Sequence, residues 1–274
     1  MRLPFTKMSG AGNDFIVIDN RQNRITNRPA LASKLCNRRW GIGADGLLLV
    51  ESSKKASYRM MYYNSDGSYG GMCGNGARCI ALYATTRGIA RRAHSFEALD
   101  FVYHAQVRKT SVTLTMKNPS NLRMNLVLPI LRKKVKAHFV DTGSPHVVIP
   151  VTSLIRARNA LQKLQVDKIG PPIRYHRQFK PSGTNVNFIY RLRPNSLKMR
   201  TYERGVEAET LACGTGSIAC ALISSRLWNM KPPITVVTQS NKKLVVNFTT
   251  KRQSIRNVTL SGPALVVFDG VVEV

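Results

Sequence analysis

The sequence predicts an α+β fold built as two pseudo-symmetric halves. Three observations carry this. A Cys-Gly-X-Gly block occurs twice, in MCGNGARCIALYATTRG from residue 72 and in ACGTGSIACALISSRLW from residue 212, about half the chain apart. Each copy follows a strand-like run, YRMMYYN at 58–64 and LKMRTYE at 197–203. Each copy also opens a small-residue, apolar stretch with the composition of a buried helix. Duplication on this scale marks two similar lobes. The expectation is that each lobe wraps strands around a central helix whose N-terminus carries the cysteine. A cleft between the lobes is then the expected ligand site.

The elements follow in chain order. Residues 15–19 (FIVID) and 47–50 are short β-branched or apolar runs and read as strands. Residues 27–39 read as a helix, with Pro29 in its first turn. The first central helix is expected over 75–87, and Gly88 is a natural residue just past its end. A strand is expected at 112–116, and KNPSN at 117–121 marks a turn between the halves. Strands follow at 147–149 and 186–190. The second central helix is expected over 215–228, where SIACALI (217–223) has no charge on any side. Strands at 235–238 and 244–248 complete the reading. The lobes are expected at 1–118 and 119–264, and a return of the C-terminal strand 265–274 to the first lobe is left open.

A hydrophobic share of 43% suits a globular protein of 274 residues. The sequence has no run long enough for a membrane span and no apolar signal region near its start, so no membrane association and a cytosolic location are expected. The balance of 42 Lys+Arg against 14 Asp+Glu gives a net charge of +28. Such a charge attracts polyanions. The basic residues are scattered, however, and the denser spots, Arg91-Arg92 and Arg132-Lys133-Lys134, lack interleaved aromatics. Nucleic acid is therefore expected to bind at most non-specifically. Five cysteines without CxxC spacing argue against a disulfide framework or structural zinc, so free thiols and no metal are expected.

Two of those thiols suit acid–base chemistry. Inverting a carbon that bears an acidic hydrogen requires a base on one face and an acid on the other. A cysteine at a helix N-terminus is a candidate for either role, because the helix end favours the thiolate. Glycines beside Cys73 and Cys213 would let a carboxylate approach the unpaired amides of the first turn. Those amides could also stabilise charge that spreads onto it during proton removal. A single Cys-Gly-X-Gly is equally a tight turn before a buried helix. Two copies at half-chain separation favour function. Cys79 and Cys220, inside the apolar helices, read as core residues, and Cys36 has no evident partner.

The blocks KMSGAGNDFIVID (7–19), GIGADGLLL (41–49), YYNSDGSYGGMCGNGARC (62–79), DTGSPHVV (141–148), GTNVNF (183–188) and YERGVEAETLACGTG (202–216) resemble, in order, those of diaminopimelate epimerases. The resemblance implies two lobes, each a β-barrel-like sheet around a central helix. It implies conversion of L,L- to meso-diaminopimelate without pyridoxal phosphate, metal or other cofactor, a step of lysine and peptidoglycan synthesis, in an enzyme that is often a homodimer. It implies Cys73 as proton donor and Cys213 as proton acceptor, with His146 and Glu203 modulating their pKa values. The implied substrate-binding residues are Asn13, Asn64, Gly74, Asn75, Asn185, Glu203, Arg204, Gly214 and Thr215. A second amino-acid end needs a cation and amide oxygens, and Arg204 with Asn64 and Asn185 supplies both. The chain departs from some members at Ser144, where they have Asn, and at Gly46, where they have Gln.

Taken singly, Asn64 is equally a turn residue, Arg204 and Glu203 an exposed pair, and His146 a core histidine. Two other functions remain open at this point. One is a different two-cysteine amino-acid racemase, although a one-ended substrate has no use for the Asn64, Asn185 and Arg204 set. The other is a basic nucleic-acid-binding protein on this fold.

Overall fold

A computed structural model describes residues 1–130, 133–155, 157, 159–252 and 254–274. Arg132 of the basic run noted above lies outside them. The chain divides into two compact units, Met1–Met116 with Ser261–Val274, and Lys117–Leu260.

The first unit begins with β1 (Arg2–Gly10), β2 (Asn13–Asp19), α1 (Arg28–Cys36), β3 (Gly46–Glu51) and β4 (Arg59–Asn64). It continues through α2 (Gly74–Thr86), β5 (Ala93–Ala98), β6 (Phe101–Arg108) and β7 (Ser111–Thr115). The second unit comprises β8 (Ser120–Ile130), β9 (Lys133–Asp141), β10 (Pro145–Pro150), α3 (Ala160–Lys163), α4 (Val166–Arg174), β11 (Asn185–Arg193) and β12 (Ser196–Glu203). After these come β13 (Ala208–Thr210), α5 (Gly214–Trp228), β14 (Ile234–Val237), β15 (Lys243–Lys251) and β16 (Ser254–Pro263), whose last residues already belong to the first unit. The final strand, β17 (Leu265–Glu273), pairs antiparallel with β1.

The duplication seen in the sequence is repeated in the strand pairings. In the first unit β1 pairs antiparallel with β2, β2 parallel with β3, β3 antiparallel with β4, β4 parallel with β5, and β5 antiparallel with β6. In the second unit β9, β10, β11, β12, β14 and β15 show the same alternation. Each central helix supplies the crossover before the second parallel pair, as a parallel connection requires. Helix α2 packs on β1, β2, β3, β4, β6, β7 and β17, and α5 packs on β9, β10, β11, β12, β14 and β15. Each unit is thus a mixed sheet around one buried helix.

Burial explains why helices with glycine-rich first turns are stable. Ile80, Ala81 and Ala84 of α2, and Ile218, Ala219, Leu222 and Ile223 of α5, are all inaccessible or nearly so. Full burial of a Leu or Ile contributes about 1.5–3 kcal/mol, well above the roughly 1 kcal/mol cost of a helical glycine. Helix α2 ends where Gly88 takes φ +69°, and Ile89 N–H returns to Ala84 O at 2.8 Å. Helix α5 ends at Asn229, which takes the left-handed conformation with φ 52°.

The structure corrects three boundaries. Both central helices begin one residue earlier than expected, at Gly74 and Gly214, which makes each cysteine the N-cap. Helix α1 stops at Cys36 instead of residue 39. Asn37 ends it, because its side chain accepts from the N–H groups of Arg39 and Trp40, both at 2.9 Å, in place of a helical turn. Helix α4 was not expected, since Pro171 and Pro172 lie inside it. It forms because Val166, Ile169 and Ile173 share one buried face at helical spacing, while Gly170 lies flat against the Tyr202 ring. Among the described residues no helix is long and apolar enough to cross a membrane.

Candidate functional site

The two cysteines sit in matching local structures. Cys73 has φ −114° and ψ 119°, and Cys213 has φ −122° and ψ 118°. Each carbonyl accepts the first helical hydrogen bond, from Ala77 N at 2.8 Å and from Ser217 N at 2.9 Å. An extended N-cap followed by Gly leaves first-turn amides without helical partners, the condition for an anion site.

The sulfurs differ. Cys213 Sγ accepts from Gly216 N–H at 3.3 Å and lies 3.6 Å from Thr215 Oγ1. Cys73 takes no capping hydrogen bond from its own helix. Hydrogen-bond donors aimed at sulfur favour the thiolate. The Cys213 sulfur is thus set where a thiolate is favoured. The remaining thiols, Cys36, Cys79 and Cys220, are buried and unpaired as disulfides. Burial pushes Cys36 and Cys79 up to about 12, and Cys220 well above its ordinary value.

In the first unit two of the expected substrate residues come together. Asn75 Nδ2 donates to Asn13 Oδ1 at 2.5 Å, and Asn13 Nδ2 donates to Asp45 Oδ2 at 2.9 Å. Asn75 is held from behind by Arg78, whose Nη2 donates to Asn75 Oδ1 at 2.6 Å and whose Nη1 donates to Gly74 O at 3.1 Å. Arg78 is wholly buried, and desolvation lowers it to about 10. Its hydrogen-bond acceptors are neutral, so a full positive charge lies under the first turn of α2. Asn64 makes its own set of bonds, accepting from Tyr62 Oη at 2.7 Å and donating to Ser68 Oγ at 2.9 Å. It anchors the 64–68 turn, where Asn64 N–H reaches Ser68 O at 2.9 Å. Beside Asn13, Lys7, Asp14, Arg38 and Asp45 form a charge cluster in which Lys7 Nζ and Arg38 Nη2 lie 2.7 and 2.8 Å from the Asp14 carboxylate. Gly46 could not carry a side chain here, because a Cβ would lie 2.6 Å from Tyr63 O.

In the second unit His146 is fully buried on β10. Burial, with the Arg204 charge adding to it, pushes the imidazole down to about 3, so it is neutral. Its Nε2 lies 2.9 Å from Ser144 Oγ and 3.0 Å from Thr215 Oγ1, and its Nδ1 lies 3.2 Å from Asn187 Nδ2. Thr215 therefore lies between His146 and Cys213. Asn185 is paired with His146 in the parallel β10–β11 register. It donates to Pro145 O and accepts from Arg204 N–H, both at 2.9 Å. Glu203 accepts from Thr210 Oγ1 at 2.7 Å, and the half-buried Arg204 donates to Ser182 O at 3.4 Å.

Arg78 and Asn187 were not singled out by the sequence reading. Each left a signal, Arg78 as the one cation in an otherwise apolar helix and Asn187 as a polar residue two positions after Asn185 in an apolar strand. Among the described residues no group of three or more His, Cys, Asp or Glu side chains is arranged to hold a metal ion.

The family model described as diaminopimelate epimerase matches residues 5–117 and 138–265. A diaminopimelate epimerase of Chlorobaculum tepidum is 44% identical over 269 residues, covering 97% of this chain and 99% of that protein. One from Aquifex aeolicus is 38% identical over 283 residues, covering 98% of this chain and 97% of that protein. Among solved structures, a Bacillus anthracis phenazine biosynthesis protein of the PhzF family superposes with a TM-score of 0.77 at 14% identity, covering 100% of both chains. A probable proline racemase of Agrobacterium radiobacter superposes with a TM-score of 0.72 at 13% identity, covering 99% of this chain and 92% of that one. These structures share the fold expected from the duplicated sequence. The matched sequence, spanning both cysteine turns and nearly the whole chain, shows that this protein belongs to the diaminopimelate epimerase family.

Proposed function

We propose that the chain epimerises L,L-diaminopimelate to meso-diaminopimelate with two cysteines and no cofactor, the step that serves lysine and peptidoglycan synthesis. Cys213 as thiolate removes the α-hydrogen from one face, and Cys73 as thiol delivers a proton to the other. The reverse reaction exchanges these roles. Atoms balance without an oxidant or co-substrate, since one proton leaves carbon and one returns. Gly74, Asn75, Gly214 and Thr215 take the carboxylate of the reacting end through first-turn amides and side chains. Asn64, Asn185 and Arg204 take the distal amino-acid end, with Asn13 steadying Asn75 and with His146 and Glu203 tuning the thiols. The single observation that carries the reading is the pair of N-cap cysteines with matching backbone angles, one at the start of each central helix. The same reading includes a cytoplasmic enzyme acting as a homodimer. Nucleic acid binds it only non-specifically.

The test is turnover of L,L-diaminopimelate in deuterated water. Deuterium is expected at the inverted α-carbon, and Cys73→Ala and Cys213→Ala are each expected to lose epimerisation. Near-normal turnover by either variant would end the two-base scheme. Inversion of proline or histidine in preference to diaminopimelate would transfer the chain to another racemase activity.

A further inference from the structure

We propose that Asn187 is a positioning residue that fixes the direction of a buried hydrogen-bond chain, from the β10 backbone through His146 and Thr215 to the sulfur of Cys213. The inference rests on the reading of Cys213 as the base and adds the device that keeps it ready.

The direction follows from one group that cannot change roles. The Val147 carbonyl can only accept, and Asn187 Nδ2 lies 2.9 Å from it. That contact fixes which end of the Asn187 amide is NH2. The amide oxygen is then correctly placed to accept from Thr201 Oγ1 at 3.0 Å. The same NH2 faces His146 Nδ1 at 3.2 Å, so Nδ1 must accept and carries no hydrogen. A neutral imidazole then bears its hydrogen on Nε2, which faces Ser144 Oγ and Thr215 Oγ1 at 2.9 and 3.0 Å. Ser144 Oγ also lies within donating distance of Thr215 Oγ1, at 3.3 Å. With its lone pairs used by these donors, the Thr215 hydroxyl hydrogen is directed to Cys213 Sγ at 3.6 Å. It joins the Gly216 N–H there, so two donors point at one sulfur.

The surroundings keep the chain in this state. Asn187 and His146 are completely buried. On β9 the residue opposite His146 is Val140, and the neighbouring Asp141 is occupied with Gly143 N–H. On β11 the register partner of His146 is the neutral Asn185. At the end of β12, Arg204 opposes protonation of His146, and Glu203 is engaged by Thr210. Helix α5 contributes Cys213 itself and the buried thiol of Cys220. Gly216 is part of the design, since a Cβ there would lie 2.6 Å from Asn187 Oδ1.

Nitrogen-15 NMR of histidine-labelled protein reads the tautomer directly. The expected result is a neutral His146 with hydrogen on Nε2 throughout pH 5–9. An Nδ1–H tautomer, or an imidazolium in that range, overturns the proposal, and neither result depends on the catalytic reading. The second arm is Asn187→Leu, which removes the donor to Nδ1. His146 should then populate both tautomers, and the acidic limb of kcat/KM for L,L-diaminopimelate should rise by about one pH unit, because a hydrogen bond to a charged acceptor is partly lost. KM should change little. A folded Asn187→Leu variant with an unmoved acidic limb also overturns the proposal. Full activity of Cys213→Ala would instead strike the two-base reading and leave the tautomer result standing.

Discussion

Replacing Gly216 by alanine, with Gly76 as its counterpart in the first repeat, tests whether tight packing under α5 holds the Cys213 half-site in place. A Cβ at Gly216 would lie 2.6 Å from Asn187 Oδ1 and 3.2 Å from both Cβ and Sγ of Cys213. A relaxed carbon–oxygen contact is about 3.3–3.6 Å, so the oxygen has to retreat by roughly 0.7 Å. Asn187 is tied to Val147, Thr201 and His146, which leaves it little freedom to do so. Overpacking of this kind costs about 1–3 kcal/mol, against about 0.5–1 kcal/mol gained from Ala over Gly in a helix. The net loss of stability should be about 1–2 kcal/mol. A shift approaching 1 Å at the site should lower kcat by about a hundredfold. At Gly76 the nearest atom to a new Cβ is Leu48 Cδ2 at 3.1 Å, with Phe15 Cε1 at 3.5 Å. A terminal methyl group can yield by a few tenths of an ångström, so strain and helix gain should cancel to within about 1 kcal/mol. The assays are urea unfolding and initial rates with L,L-diaminopimelate on both variants. The reasoning fails if Gly216→Ala matches the unsubstituted protein in both, or if Gly76→Ala loses more than Gly216→Ala.

Two further measurements follow from the same structure. Burial alone would raise the Asp14 carboxyl, but hydrogen bonds and charge from Arg38 and Lys7 outweigh it and hold the group at about 2 instead of 3.8. The folded value is the lower one, so this contribution is present above about pH 4 and is lost as the pH falls toward 2. Discounted for partial exposure, it is worth about 1–2 kcal/mol. Asp14→Asn should cost that much at pH 7 in urea unfolding, and the gap should close between pH 4 and 2; a gap independent of pH would refute the ion-pair account. Alkylation of the native protein with iodoacetamide at pH 8, read by peptide mass spectrometry, should spare Cys36, Cys79 and Cys220, which are buried with raised thiol pKa values, and modify the half-exposed Cys73. Rapid modification of any of the three buried thiols would show that their surroundings open readily.

The central helices and most strands were legible in the sequence because their signals are local. An apolar, small-residue stretch after Cys-Gly-X-Gly can be stable only if it is buried, and Gly88 and Asn229 supply the backbone conformation that ends it. The early end of α1 was missed because the competing Asx turn at Asn37 is as local as the helix it stops. Helix α4 was missed because two prolines suppress the propensity signal, while the packing of Val166, Ile169 and Ile173 that overrides it depends on distant partners. The long strand β8 carries many exposed residues and weak alternation, so nothing local marks it as sheet.

By itself the sequence determined the duplication, the two central helices to within a residue of their starts, the placement of a cysteine and glycines at each, and the blocks that resemble a family. These depend on residues close together in the chain, where backbone geometry and helix-end electrostatics act over one turn. Tertiary structure alone decided that Arg78 is a buried cation beneath Asn75, that Asn13 and Asn75 share a hydrogen bond, and that His146 is neutral and turned toward Thr215. Those facts depend on desolvation and on the direction of hydrogen bonds between strands and helices far apart in sequence, and both quantities come into being only when the chain has folded.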